Sequence, residues 1–306
     1  MIDMVEVEIF FEEHWEFIIL GVALGLHFLY KLSKKHHYRK NLYGFDRIAG
    51  MLDLKKKIYQ EVIFPFYNAN KYKKFNLNLP NGIIFYGPTG CGKTFFVERL
   101  AEELDMNYIK VDHADLASPY IHESVSKIAK TFKEAKEQAP CIVFIDELES
   151  LVPSRTEIGQ DSSHKHEEID EFLMHLNNAA QDKILVIGAT NHLDMIDPAI
   201  QRSGRFDVKI YVGPPDMTAR AELFMNAIKD IPHERKIDFG FLAALTDNYT
   251  SADIVNIVQS ASRYAAVNNK RRLNQEILEQ TIHEIPSSLD MSEVEDEDDK
   301  LLSEDN

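Results

Sequence analysis

The stretch GPTGCGKT, from Gly87 to Thr94, has the residue types and spacing of a phosphate-binding loop. It fits the pattern G-x-x-x-x-G-K-T and lies between an apolar run typical of a strand and a segment with a helical pattern. Glycines let backbone N–H groups surround phosphate oxygens, the Lys93 ammonium attracts the β- and γ-phosphates, and the Thr94 hydroxyl can bind Mg²⁺. The positive end of the following helix adds to this attraction. The predicted ATP-binding residues are Gly87, Pro88, Thr89, Gly90, Cys91, Gly92, Lys93 and Thr94.

Two carboxylates follow another apolar run, in the stretch CIVFIDE. Asp146 stands where a strand would end, and oxygen ligands of this kind suit Mg²⁺. Glu147 comes next and could polarise a water molecule for attack on the γ-phosphate. Asn191 ends a further apolar run, ILVIGATN, where a neutral amide can position that water or sense the γ-phosphate. A protein that only binds nucleotide does not need the second carboxylate, so this set predicts ATP hydrolysis.

Elements of a mixed fold must position these side chains. Short apolar runs, such as GIIFYG and CIVFID, alternate with segments long enough for helices, which predicts an α/β fold with a parallel sheet. From Met217 to Pro286 amphipathic helical patterns replace the strand-like runs, so we expect a small C-terminal helical domain. The segment before the sheet has a helical pattern that we expect to end at Pro65.

Seven motifs in this order make the sequence similar to the AAA+ ATPases, in particular to the branch that contains membrane-bound AAA proteases and protein-unfolding remodellers. The similarity runs from about Gly44 to Ile285 and includes FDRIAG, GPTGCGKT, FIDELESL, GATN, DPAIQRSGRFD, GPPD and YTSADI. It implies an AAA+ parallel-sheet nucleotide-binding domain followed by a helical lid. The zinc-protease pattern H-E-x-x-H does not occur, so we expect a single-ring member without a peptidase domain.

The resemblance also implies roles for residues outside the phosphate loop. Arg202 and Arg205 would act as arginine fingers on the ATP of a neighbouring subunit, because guanidinium groups stabilise charge on the transferred phosphoryl oxygens. Fingers that act between subunits imply a ring, which we expect to be a homohexamer. The residues expected to contact the adenine are Ile48, Ala49, Gly50, Ser251 and Ala252.

The same resemblance places the stretch PYIHES in a loop that lines the central pore of the ring. Six copies of Tyr120 and Ile121 would grip an unfolded polypeptide without reading its sequence, since apolar contact is non-directional. The alternative, that Tyr120 packs under its own loop, stays open.

Some positions depart from the family pattern or resemble other chemistry. Ala49, Val208 and Ala227 stand where the family often has glycine, arginine and histidine. The stretch SSHKHEEID, residues 162–170, has Asp170 where a zinc protease would have its second histidine, so we predict a pore-facing loop rather than a metal site.

The N-terminal segment is uncharged from Phe17 to Tyr30 and basic from there to Lys40. The uncharged run reaches only about 21 Å as a helix, short of a hydrocarbon core of roughly 30 Å. A membrane span, an interfacial anchor and a helix buried against protein therefore stay open. Trp15 and Tyr30 at its two ends and the basic cluster favour membrane attachment by a single span, with the ATPase domain on the cytosolic side.

The charge and the cysteine content of the sequence exclude some classes of partner and site. The net charge is −16, and about half of it lies in the acidic stretch from Asp290 to Asn306, which predicts a disordered tail. No nucleic-acid partner is expected, because phosphate neutralisation requires a basic face. The two cysteines, Cys91 and Cys141, indicate neither a disulfide framework nor a zinc site. Cys91 could be an oxidation switch or simply a small loop residue.

The predicted organisation has four parts. These are a membrane anchor with its basic stretch (1–40), an AAA+ α/β ATPase domain (41–215), a helical lid domain (216–286) and an acidic disordered tail (287–306). The predicted function is a membrane-tethered remodeller that uses ATP hydrolysis to thread polypeptide through a ring pore. Two other functions stay open, namely a dedicated assembly chaperone and a nucleotide-switch ATPase of a membrane complex.

Overall fold

The computed structural model describes residues 43–77, 79–112, 123–154, 163–202 and 204–289. Three predictions fall outside these ranges: the N-terminal membrane anchor, the pore residues Tyr120 and Ile121, and the acidic stretch from residue 290 onward. Among the described residues, no helix combines the length and the apolar character that crossing a membrane requires.

The first part of the chain forms a five-stranded sheet in which every paired strand is parallel. Its strands are β1 (Gly82–Tyr86), β2 (Asn107–Val111), β3 (Cys141–Ile145), β4 (Ile184–Thr190) and β5 (Phe206–Tyr211), in the order β2-β3-β4-β1-β5. The three inner strands are buried along their whole length, as expected for strands covered on both faces. The predicted α/β fold with a parallel sheet is confirmed.

Helices cover both faces of the sheet. They are α1 (Leu52–Ile58), α2 (Phe64–Tyr67), α3 (Ala69–Lys74), α4 (Lys93–Leu104), α5 (Glu123–Glu137), α6 (Leu148–Leu151) and α7 (Ser163–Asn178). Alternate residues of a strand point to opposite faces. In β1, Ile83 and Phe85 pack in one core with α1 and α4, whereas Ile84 and Tyr86 pack in the other with α5 and α7.

The helical segment before the sheet extends beyond Pro65, so the predicted end is wrong by two residues. A π-helical stretch, Tyr59–Ile63, follows α1 and leads directly into α2. Pro65 stands where the π-helical stretch passes into α2, and the change of hydrogen-bond pattern at this junction tolerates a residue without an N–H. The chain can therefore stay helical as far as Tyr67.

The prediction of a loop at residues 162–170 is also wrong from Ser163 onward, because α7 begins there. Ile169, Phe172 and Leu176 recur every three to four residues and are buried against the sheet. This spacing gives a helix one apolar face, and burial of that face stabilises it regardless of the neighbouring histidines.

The C-terminal part is helical, as predicted. It consists of α8 (Met217–Ile228), α9 (Phe239–Leu245), α10 (Ser251–Val267) and α11 (Gln275–Glu284), which share a core of their own. Each of these helices begins after a residue whose side chain accepts a hydrogen bond from a first-turn N–H, a contact that stabilises a helix start. These capping residues are Asp216, Asp238, Thr250 and Asn274.

The buried side chain of Arg220 connects several segments of this helical part. Its buried guanidinium donates hydrogen bonds to the carbonyl oxygens of Ala243 (3.1 Å) and Pro215 (2.9 Å), and it pairs with Asp247 at 3.0 Å. The arginine thus joins the start of α8 to α9 and to the turn that follows.

We expect Arg220→Met to lower the free energy of unfolding by about 2–4 kcal/mol, because it removes a buried guanidinium that donates to Pro215 O and, beside the N–H and hydroxyl of Thr246, to Ala243 O. Asp247→Asn should cost less than about 1 kcal/mol, since the Asp247 side chain is 75% exposed. Urea unfolding followed by circular dichroism measures both. Equal losses in the two variants would show that the surface ion pair, and not the buried carbonyl bonds, carries the stability.

Candidate functional site

The phosphate-loop sequence lies where the sequence predicts it, between the carboxyl end of β1 and the start of α4. Gly90 and Gly92 have φ angles of +82° and +95°, a region that side chains other than glycine rarely adopt. Gly92 is also the residue that precedes α4, so the first N–H groups of that helix face the loop. The loop therefore offers backbone donors and a helix N-terminus to an anion.

The Lys93 side chain is buried in the middle of this loop. Its ammonium donates to Gly87 O (2.6 Å), Pro88 O (2.9 Å) and Asn191 Oδ1 (2.7 Å), which uses all three of its hydrogens. Burial lowers the pKa of Lys93, since it disfavours the charged form. Neutral acceptors at these distances offset a buried cation only in part, so the site favours an anion beside Lys93.

The two residues predicted to hold Mg²⁺ are in contact. Asp146 follows β3, Thr94 lies in the first turn of α4, and Thr94 Oγ1 donates to Asp146 Oδ2 at 3.2 Å. A hydroxyl and a carboxylate next to a phosphate-binding loop form an oxygen donor set that suits Mg²⁺. Lys110 is a third neighbour that the sequence did not predict, with Nζ at 3.5 Å from the same Asp146 oxygen.

Glu147 has an unusual backbone. Its φ and ψ are 53° and 55°, the left-handed region, and the residue is exposed immediately before α6. A residue other than glycine costs free energy there, and such positions cluster at functional sites. The turn sends the chain away from the sheet edge directly after Asp146, which leaves the Glu147 carboxylate exposed beside the predicted metal ligand. This arrangement fits a group that acts on a water molecule.

Asn191 comes from a different strand and reaches the same place. It follows β4, and its Oδ1 accepts a hydrogen bond from the Lys93 ammonium. The phosphate loop thus follows the carboxyl end of β1, Asp146 follows that of β3, and Asn191 follows that of β4. The structure brings together the predicted phosphate, metal and water-positioning residues.

A cavity of about 530 Å³ adjoins the phosphate loop between the two parts of the chain. Ile48 and Ala49 line one wall, Ser251 and Ala252 line the other, and Ala252 N donates to Gly90 O at 3.1 Å. The predicted adenine-contacting residues therefore surround one space, except that Gly50 does not line it.

Gly50 instead contacts the helical part, and so connects the segment containing Ile48 to α8. Its φ is +47°, and a Cβ there would lie 2.5 Å from the backbone nitrogen of Ala219. Its own N–H donates to Glu222 Oε2 at 2.8 Å, and the N–H of Met51 donates to Asp216 Oδ2 at 3.0 Å. Through these contacts Gly50 joins the segment that forms this wall of the cavity to α8.

Sequence reasoning missed several polar residues that line the cavity. Asn256 and Gln259 lie on the same face of α10 as Ser251 and Ala252, and Asn226 faces them from α8. Helical spacing from Ser251 could have identified the two α10 residues, because positions four to five and eight residues further on return to the same face. Amide groups here can exchange hydrogen bonds with the edge of a base.

The two predicted arginine fingers lie apart from this site. Arg202 is exposed, and Arg205 is half-buried with its Nη1 donating to Ala199 O at 2.7 Å. Both precede β5, whose first residue, Phe206, pairs with the first residue of β1. They stand at the amino-terminal edge of the sheet, about 13 Å along the strands from the edge that carries the phosphate loop.

Residues 83–214 match the sequence model of the ATPase family associated with various cellular activities (AAA). The match starts within β1 and ends after β5, so it includes the phosphate loop, Asp146, Asn191 and both arginines. The chain therefore contains an AAA ATPase domain, which supports the predicted AAA+ family. This domain indicates an ATP-hydrolysing enzyme, and the AAA family implies nucleotide binding, usually with Mg²⁺.

Cys91 is buried, and burial raises the pKa of its thiol to about 11, as it does for Cys141. The thiolate is the reactive form, so at pH 8 only about one thiol in a thousand is reactive. We expect iodoacetamide to modify both cysteines slowly in the native protein at pH 8, and much faster in urea, as measured by mass spectrometry. Fast native labelling of Cys91 alone would instead favour the oxidation switch.

Proposed function

We propose that this ATPase forms a ring, is tethered to a membrane and threads polypeptide through a central pore. The observation that supports a ring is the position of the two arginines in the fold. Arg202 and Arg205 precede β5, at the sheet edge opposite to the phosphate loop of their own chain. An arginine side chain is too short to span the roughly 13 Å along the strands to the phosphate loop. These side chains can therefore act on phosphate only if a second copy presents its nucleotide site to them.

Within one site, each residue takes a role that its position supports. Bound Mg²⁺·ATP supplies the γ-phosphoryl group and a cation that offsets its charge. We assign Lys93 to the β- and γ-phosphates, where phosphate oxygens would replace its carbonyl acceptors. Thr94 and Asp146 hold the metal, and Glu147 orients and polarises the attacking water. Asn191, which bonds to Lys93, senses the γ-phosphate.

A mixing experiment tests whether the arginines act between subunits. Lys93→Ala and Arg202→Ala should each lower ATP hydrolysis at least about a hundredfold. A one-to-one mixture should recover up to about a quarter of the wild-type rate, the share of interfaces that pair an intact Lys93 with an intact Arg202. Arg205→Ala is the second variant to mix in the same way.

The control mixes Lys93→Ala with Glu147→Gln. Both changes damage the same site of the same chain, so no interface in that mixture regains a complete site. Recovery with Arg202→Ala but not with Glu147→Gln supports fingers that act in trans. Recovery in neither mixture, with mixed rings verified by native mass spectrometry, would contradict the ring assignment.

The threading role rests on the sequence. Tyr120 and Ile121 follow β2 and lie outside the described residues, and their assignment to a pore comes from the resemblance to protein-unfolding remodellers. The uncharged run from Phe17 to Tyr30, followed by basic residues, supports the membrane tether. A machine that extracts or remodels membrane proteins combines both features. A dedicated assembly chaperone or a nucleotide switch would also be tethered but would not need an apolar grip.

We expect an unfolded protein to stimulate ATP hydrolysis by the full-length chain in lipid nanodiscs, and Tyr120→Ala to abolish that stimulation, because the grip on substrate is lost. Tyr264→Ala, which changes a partly exposed aromatic on α10, is the matched control and should keep the stimulation. Wild-type behaviour of Tyr120→Ala would contradict threading and favour the switch or the dedicated chaperone.

A further inference from the structure

We propose that Lys110 is a positioning residue for Asp146 and sets the Mg²⁺ concentration at which the nucleotide site is filled. The proposal rests on the assignment of the metal to Thr94 and Asp146 made above. It concerns a residue outside the seven motifs that carry the family resemblance. Lys110 is the last but one residue of β2, and the structure places its side chain among the predicted metal ligands.

The geometry joins one ammonium to two carboxylates. Lys110 Nζ lies 2.9 Å from Asp112 Oδ1 and 3.5 Å from Asp146 Oδ2. The Thr94 hydroxyl donates to the same Asp146 oxygen at 3.2 Å. One oxygen of the predicted metal ligand therefore has a hydroxyl and a cation beside it at once.

The pairing of β2 with β3 explains why Lys110 is there. The strands are parallel, with Lys110 opposite Phe144 and Val111 opposite Ile145. Tyr108 stacks on Phe144 at 6.1 Å on the face that packs against α4. Because side chains alternate, Lys110 follows Tyr108 on that face, as Asp146 follows Phe144. A shift of one residue in this register would send Lys110 to the other face.

Electrostatics gives the direction of the effect. A positive charge next to Asp146 reduces the attraction of that carboxylate for a second cation, so Mg²⁺ must compete with Lys110. The two side chains are 38% and 31% exposed, so water screens the repulsion. We therefore expect a change of about threefold to tenfold in apparent Mg²⁺ affinity rather than a larger one.

Asp112 adjusts this competition. It holds the ammonium at 2.9 Å, closer than Asp146 does, and its side chain is 56% exposed. When Asp112 binds Lys110 firmly, Asp146 is freer for the metal. Removal of the Asp112 charge leaves Lys110 with Asp146 as its carboxylate partner, which makes Mg²⁺ binding harder.

A lysine at this position also suits a second role, the protection of an edge strand. β2 is an edge strand, and lysine on an edge discourages pairing with another chain. That role does not involve the metal. Only the dependence of nucleotide binding on Mg²⁺ distinguishes the two, so a measurement of aggregation or of hydrolysis alone is not sufficient.

The test titrates Mg²⁺ into the full-length protein with a fluorescent, non-hydrolysable ATP analogue and follows anisotropy. Lys110→Met should lower the half-saturating Mg²⁺ concentration about threefold to tenfold, whereas Lys110→Arg, which keeps the charge, should stay near wild type. The matched control is Lys136→Met. It removes a lysine that pairs with Asp182 at 2.6 Å at the opposite edge of the sheet, and should change nothing.

A double-mutant cycle separates the two carboxylates. Asp112→Asn should raise the half-saturating Mg²⁺ concentration in the wild type but have a smaller effect in the Lys110→Met background. An unchanged midpoint for Lys110→Met, in a protein whose nucleotide binding requires Mg²⁺, would overturn the role of Lys110. Nucleotide binding without any Mg²⁺ dependence in the wild type would instead overturn the metal assignment of Thr94 and Asp146.

Discussion

The parallel pairing of β1, β3 and β4 determines where every polar group of the site can be. Parallel strands end at one edge, so the loop or side chain that follows each strand meets the others there. The phosphate loop follows β1, Asp146 follows β3 and Asn191 follows β4, and the bond between Lys93 and Asn191 spans 98 positions of sequence. The same rule places residues that precede a strand, such as Arg205, at the opposite edge.

The sequence was sufficient for features that depend on local chemistry. The segment with a helical pattern after the phosphate loop is α4, which begins after a glycine loop and ends before Asp105 in the left-handed region. The sequence was not sufficient where strand pairing or packing determines which residues join the site or which segments are helical. Lys110 joins the site only through the register of β2 on β3, which spacing along the chain does not contain. Residues 163–170 are helical because of apolar residues further along, at Phe172 and Leu176.

Burial of Lys93 links the phosphate loop to the rest of the fold. Its ammonium connects the loop to Asn191, and Ala252 connects the same loop to α10 of the helical part. A ligand that replaces the acceptors around Lys93 therefore changes contacts on two strands at once. The cavity between Ile48 and Ser251 is bounded by both parts of the chain, so its shape depends on their relative position. Binding chemistry and the relation of the two parts are coupled at this loop.

The contact of Gly50 with α8 has a mechanical consequence. The segment that leads into the sheet bonds to Glu222 and Asp216, residues of the helical part or directly before it, although these lie more than 160 positions further along the chain. Tension applied to residues before Gly44 therefore acts on α4, through the bonds of Gly44 and Phe45 to Glu102 and Glu103, and on α8, through Gly50 and Met51. In a molecule held by its N-terminus, a pull on the chain would load the sheet through α4 and the helical part through α8 at the same point of the chain.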